Sequence, residues 1–203
     1  MGARETALST LIACRRQGGW SNAVLKDTVR RDRLDGREAA LATRLCYGVL
    51  QNRGRLDFYL KQLLKGKLKS LHPATRDILH LGLYQIYDLD RVPDSAAVNE
   101  VLRSAVRTKG KLLEPTSYED KYSHPEALVA LLKANVPKGM LESVLQADNA
   151  APETVIQVNT LKTGRDDLQK ALEKEGVEAK PHSWMPDCLV LNGTGSIDQL
   201  NAF

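Results

Sequence analysis

Over the first three quarters of the chain, apolar residues return every three or four positions. This helical period, broken only at glycine and proline, limits the fold more than any other feature. In "ARETALSTLIAC" the residues Ala7, Leu8, Leu11 and Ile12 form one stripe, and Gly18-Gly19 ends it. "WSNAVLKDTVRR" predicts a second helix with Ser21 as N-cap. "GREAALATRLCYGVLQNRGRLDFYLKQLL" predicts a longer stripe with a break near residues 52–54. "HPATRDILHLGLYQIYDLD" is strongly apolar and predicts an inner helix with Pro73 in its first turn. "DRVPDSAAVNEVLRSAVR" then predicts a turn and a further helix capped by Asp94 or Ser95. Stripes of this kind bury themselves against one another, so the expected architecture is a helical bundle.

The stretch "TKGKLLEPTSYEDKYS" is polar and holds glycine and proline, which marks it as a boundary. The expected division is an all-helical domain at 1–112, a linker at 113–123 and a second part at 124–203. The second part opens with two short helices broken at "VPKG". After Pro152 the pattern changes: Val155, Ile156 and Val158 form a β-branched run, "TGRDDLQKALEKEG" an amphipathic helix ending at Gly176, and "CLVLNGTGSI" a second strand-like run. Strand, helix, strand predicts a small α+β unit that 203 residues leave incomplete. The fold class expected overall is mainly α, with this unit appended.

Charge divides along the same line. Residues 1–123 hold 22 Lys and Arg against 14 Asp and Glu, and residues 124–203 hold 7 against 11, so a first part at +8 and a second at −4 give the chain its +4. A basic first part suits a polyanion, whose phosphates it would neutralise with release of counterions. The residues expected to do so are Arg4, Arg15 and Arg16 around the first helix, Arg30, Arg31 and Arg33 at the end of the second, Lys61, Lys65, Lys67 and Lys69 in "LKQLLKGKLKSLHP", and Lys162. Lys61 and Lys65, four apart, are expected to share one helical face as a cationic edge.

Other chemistries find little footing. Cys14, Cys46 and Cys188 are odd in number and lack metal-ligand spacing, so neither a disulfide framework nor a zinc site is expected, and no metal. Gly193 and Gly195 form GxG after a strand, but the eight residues that follow cannot supply a dinucleotide-binding helix and strand. The four histidines are scattered, and His80 reads as a core residue. No catalytic constellation emerges. No apolar run is long enough for a bilayer, and the basic pair near the start follows its apolar stretch rather than preceding it, so no membrane partner and a cytoplasmic location are expected.

Five blocks, "ARETALSTLIAC", "REAALATRLCYGVLQNRGRLDFYLKQLL", "RDILHLGLYQIYDLDRVPDSAAVNE", "KYSHPEALVALL" and "VNTLKT", occur in an order that resembles the amino-terminal half of the Sun/Fmu family, the S-adenosylmethionine-dependent 16S ribosomal RNA cytosine-5 methyltransferases. The resemblance implies a NusB-like RNA-binding bundle followed by the start of a ferredoxin- or RRM-like RNA-binding adaptor, with 16S ribosomal RNA as partner. It also implies that S-adenosylmethionine and two cysteines of the reaction belong to a further domain, leaving no cofactor and no catalytic role in this segment. Two departures from the family pattern stand out. Glu100 runs directly into "VLRSAVR" where the family has an intervening stretch, and Gln157 stands where the strand motif has arginine. Two other readings compete: a free-standing antitermination factor of NusB type, and a bundle that binds only protein. "YSHPE" and "VNTLK" oppose the first, because free antitermination factors have neither.

Overall fold

The computed structural model describes residues 2–18, 21–89, 100–193, 197 and 200–202. The expected caps Asp94 and Ser95, and Gly195, lie outside the described residues. The chain divides into two compact units, Met1–Asn149 and Ala150–Phe203.

In the first unit nine helices follow one another among the described residues: α1 Ala3–Gln17, α2 Ser21–Asp32, α3 Gly36–Gln51, α4 Arg53–Leu63, α5 Pro73–Asp88, α6 Glu100–Arg107, α7 Tyr118–Tyr122, α8 Glu126–Asn135 and α9 Leu141–Asn149. Local chemistry sets their ends. Asp35 caps α3 by accepting the Glu38 N–H at 2.8 Å, and His72 caps α5 by accepting the Ala74 N–H at 3.3 Å, with Pro73 opening the helix. α2 stops because Arg33 turns left-handed, at φ 52°, which lets the Leu34 N–H return to the Val29 carbonyl. Ser21 is already inside α2 rather than its cap.

α5 is the central element and packs against α1, α3, α4 and α6. Leu79, Leu83, Leu45, Leu56 and Leu60 are almost wholly buried in the core around it. Two glycines set how closely helices approach: a methyl group on Gly48 would lie 2.0 Å from the Tyr84 ring, and one on Gly82 would lie 2.5 Å from Leu102. α3 and α6 can therefore sit against α5 only at these bare positions.

The expected linker at 113–123 contains α7, capped by the Ser117 hydroxyl at 3.1 Å. Tyr122, Val129 and Leu145 form a small core of α7, α8 and α9. Ser123, left-handed at φ 58°, accepts the Arg55 N–H at 3.0 Å, and a methyl group on Gly54 would lie 3.2 Å from the Ser123 backbone. Asn149 donates to the Tyr122 carbonyl at 2.8 Å and its own carbonyl accepts from Gln51 at 2.7 Å. "YSHPE" thus holds α7–α9 against the start of α4, and these three helices belong with the bundle.

In the second unit β1 Thr154–Gln157, α10 Arg165–Lys174, β2 Glu178–Pro181 and β3 Cys188–Asn192 build a three-stranded antiparallel sheet of order β1-β3-β2. Ile156, Ala179, Leu189 and Leu191 pack with Leu168 and Leu172 of α10. The expected strand–helix–strand order lacks β2. That strand is short, carries an ion pair between Glu178 and Lys180 at 2.6 Å and ends in Pro181, the composition of an edge rather than of a buried run. Gly176, at φ 81°, closes α10 as expected.

We expect Gly48→Ala to cost about 1–3 kcal/mol through overpacking against Tyr84. Urea unfolding followed by circular dichroism would measure it, and an unchanged midpoint would contradict the close approach.

Candidate nucleic-acid interface

The buried polar side chains of α5 sort the arginines of the first unit into two groups. Asp77, 3% exposed, accepts from Arg15 Nε at 3.0 Å and lies 3.8 Å from Arg53 Nη2. Gln85 accepts from Arg4 Nε at 2.7 Å and donates to the Leu81 carbonyl. His80, fully buried, meets Asp57 Oδ1 at 2.8 Å, and Arg76 pairs with the same carboxylate. Arg55 pairs with Asp88. Burial alone would favour the neutral form of Asp57, but the hydrogen bonds from His80 and Arg76 outweigh it and hold the carboxyl below its ordinary range.

These pairs also fix helix directions. Arg4 with Gln85 and Arg15 with Asp77 make α1 antiparallel to α5, and the Thr6 hydroxyl donating to Asp32 at 2.7 Å places the end of α2 beside the start of α1. Arg4, Arg30, Arg31 and Arg33 therefore gather at one end of the bundle, while Arg15 and Arg16 lie at the other. At the first end Arg31 bonds Asp32, and Asp35 and Glu38 are close in sequence, so positive charge is largely offset. At the second end, among the described residues, Asp57 and Asp77 are each already bound by arginine.

The lysine run leads into that second end, since it connects α4 to the start of α5. Here the structure corrects the sequence reading. α4 ends at Leu63 and Leu64 is extended, so Lys65 lies outside the helix and does not share a helical face with Lys61. Residues 68–70 form a single 3₁₀ turn. Lys61, Lys65, Lys67 and Lys69 remain exposed because Leu64, Leu68 and Leu71 between them pack on the core. Among the described residues the side chains of Arg16, Arg30, Arg33, Lys61, Lys67 and Lys69 have no hydrogen bond or ion pair. Arg53, which the sequence reading passed over, joins this end through Asp77; its signal is the carboxylate partner, not its spacing. Lys162 is exposed in the turn after β1, in the acidic second unit.

The thiols offer no ready nucleophile. Burial pushes Cys46 up to about 12 and raises Cys14, and Cys188 is buried. Among the described residues no cluster could hold a metal ion, and no helix is long and apolar enough to cross a membrane. Among the described residues, the turn from β1 into α10 has one glycine, Gly164, and so lacks the glycine-rich strand-to-helix turn of a nucleotide-binding fold.

A basic helical bundle followed by a split β-α-β sheet defines a two-part architecture with known counterparts. Residues 1–113 match the NusB family, and the chain belongs to that family. Residues 124–198 match the Methyltr_RsmF/B-like, ferredoxin-like domain, while packing extends the first unit to Asn149. A probable ribosomal RNA small subunit methyltransferase B from Synechocystis sp. (strain ATCC 27184 / PCC 6803 / Kazusa) is 28% identical, with 100% of this chain and 51% of the relative covered. One from Bacillus subtilis (strain 168) is also 28% identical, covering 94% and 48%. The Vibrio cholerae ribosomal RNA small subunit methyltransferase B is 29% identical, covering 82% and 43%. The crystal structure of PH0851 shares the fold, with a TM-score of 0.66 at 20% identity, covering 98% of this chain and 51% of that one. The chain thus spans about half the length of the relatives it matches. The expected fold class and family are borne out.

Asp57 predicts an acid sensitivity. A carboxyl held low contributes stability above its unfolded pKa, about 3.9, which is lost as pH falls through its folded value. We expect Asp57→Asn to lower stability near neutral pH by about 2–3 kcal/mol, by leaving Arg76 and His80 without their anion. The variant should also flatten the fall in stability below about pH 4. Thermal melts across pH would check both.

Proposed function

We propose that this chain is the RNA-binding portion of an S-adenosylmethionine-dependent 16S ribosomal RNA cytosine-5 methyltransferase. It grips and positions RNA while methyl transfer proceeds on sequence beyond these 203 residues. The observation that carries the reading is the succession, in one chain, of the NusB match and the RsmF/B-like ferredoxin-like match. Naming of the relatives as small-subunit ribosomal RNA methyltransferases supports the substrate class. The second match disfavours a free-standing antitermination factor, which needs no such unit.

The charge distribution supports a division of labour. Arg4, Arg15, Arg53 and Arg76 are engaged by partners inside the bundle and act chiefly as its struts, while Arg31 is paired on the surface with its neighbour Asp32. Arg16, Lys61, Lys65, Lys67 and Lys69 form the end that meets phosphate, with Arg30 and Arg33 as a weaker, better-neutralised second contact. Lys162 adds a phosphate contact from the ferredoxin-like unit. The thiols, held protonated by burial at Cys14 and Cys46, fit a positioning role rather than attack on a pyrimidine. On this reading the protein works in the cytoplasm with the ribosome.

The test is binding of the 203-residue chain to a labelled helical fragment of 16S ribosomal RNA at low and raised salt. Binding should weaken steeply as salt rises, and joint charge reversal of Arg16, Lys67 and Lys69 to Glu should lower affinity by at least about tenfold. Absence of binding even at low salt would overturn the reading.

A further inference from the structure

Two stretches of the first unit that are distant in sequence carry positive charge and no acid. Residues 58–76 hold five Lys and Arg and residues 101–113 hold four, without a single Asp or Glu in either. By sequence the second stretch is the approach to a linker. The structure folds it back. Gln62, in the last turn of α4, donates to the Leu113 carbonyl at 3.0 Å and accepts the Leu113 N–H at 2.9 Å. This two-point clamp, 51 residues apart in sequence, holds Leu113, two residues after Lys111, against Gln62, the residue after Lys61.

The turn itself is well defined. The Thr108 hydroxyl and N–H both reach the Ser104 carbonyl, at 2.7 and 2.9 Å, and the Lys111 N–H bonds the Thr108 carbonyl at 2.8 Å. Gly110 is left-handed at φ 77°, a conformation that costs other residues strain. Leu112 packs on the main core, so Lys109 and Lys111 on the preceding turn are held outward and exposed. Glu114, the acid that follows, accepts the Tyr59 hydroxyl at 2.6 Å.

We propose that Lys109 and Lys111 join Lys61, Lys65, Lys67 and Lys69 in one surface that binds the phosphate backbone of RNA. The proposal rests on the RNA-binding reading above and adds to it a location and two residues outside the lysine run. Lysine binds phosphate as a point charge without reading bases, so this surface fixes where RNA lies and contributes affinity that is insensitive to sequence.

The experiment measures affinity of the full chain for a labelled ribosomal RNA hairpin over a series of salt concentrations. Lys109→Ala with Lys111→Ala should weaken binding several-fold on unrelated hairpins and flatten the plot of log affinity against log salt by about one for each phosphate no longer neutralised. Lys109→Arg with Lys111→Arg should retain the slope, and Lys133→Ala with Lys138→Ala, on and after α8, should leave it unchanged. If the unsubstituted chain binds and the Lys109/Lys111 alanine variant keeps its full slope, the location is wrong while RNA binding stands. If the unsubstituted chain fails to bind, both readings fall.

Discussion

Everything in the helical unit depends on neutralising three polar groups that α5 carries into the core. Asp77, His80 and Gln85 are nearly inaccessible to water, and each would be costly there alone. Each is answered from a different place: Asp77 by α1 and the start of α4, His80 by Asp57 of α4, Gln85 by the first turn of α1. Leucine packing could hold helices together in several registers. Paired polar groups permit one, because a slip of a single turn would strand a charge.

The same pairing separates arginines that look alike in sequence. Arg15 and Arg16 are neighbours, yet Arg15 points to a buried carboxylate and Arg16 has no partner among the described residues. Asp57 and Asp77 are taken up by arginine, so among the described residues neither acid answers Lys61, Lys67 or Lys69. Surface potential is thus a by-product of core chemistry: acids that might have quenched the lysine run are turned inward.

Helices were legible because amphipathic spacing is a local signal, and so were the stop at Gly176, the opening at Pro73 and the break before Arg53. The family was legible through ordered blocks. Three things were not, each because it is settled by a distant partner. Lys65 lies outside α4 because Leu64, Leu68 and Leu71 turn to the core instead of continuing a helical stripe. β2 was hidden because its charged, proline-ended sequence becomes a strand only by pairing with β3. The neighbourhood of Lys109 and Lys111 depends on Gln62, a residue with no distinguishing motif. Local pattern reports which segments are helices; it says little about which charges survive packing.

In the sheet, β3 is central and β1 and β2 are its two edges. β2 is ill suited to further pairing, since Pro181 has no N–H to offer and the Glu178–Lys180 pair would have to be reorganised beside another backbone. β1 has no proline or charged residue, only Thr154, Val155, Ile156 and Gln157. Growth of this sheet is therefore directional: a fourth strand, whatever its origin, has its most favourable berth along β1. Among the described residues no strand pairs with the outer edge of β1, and there the fold remains open to addition.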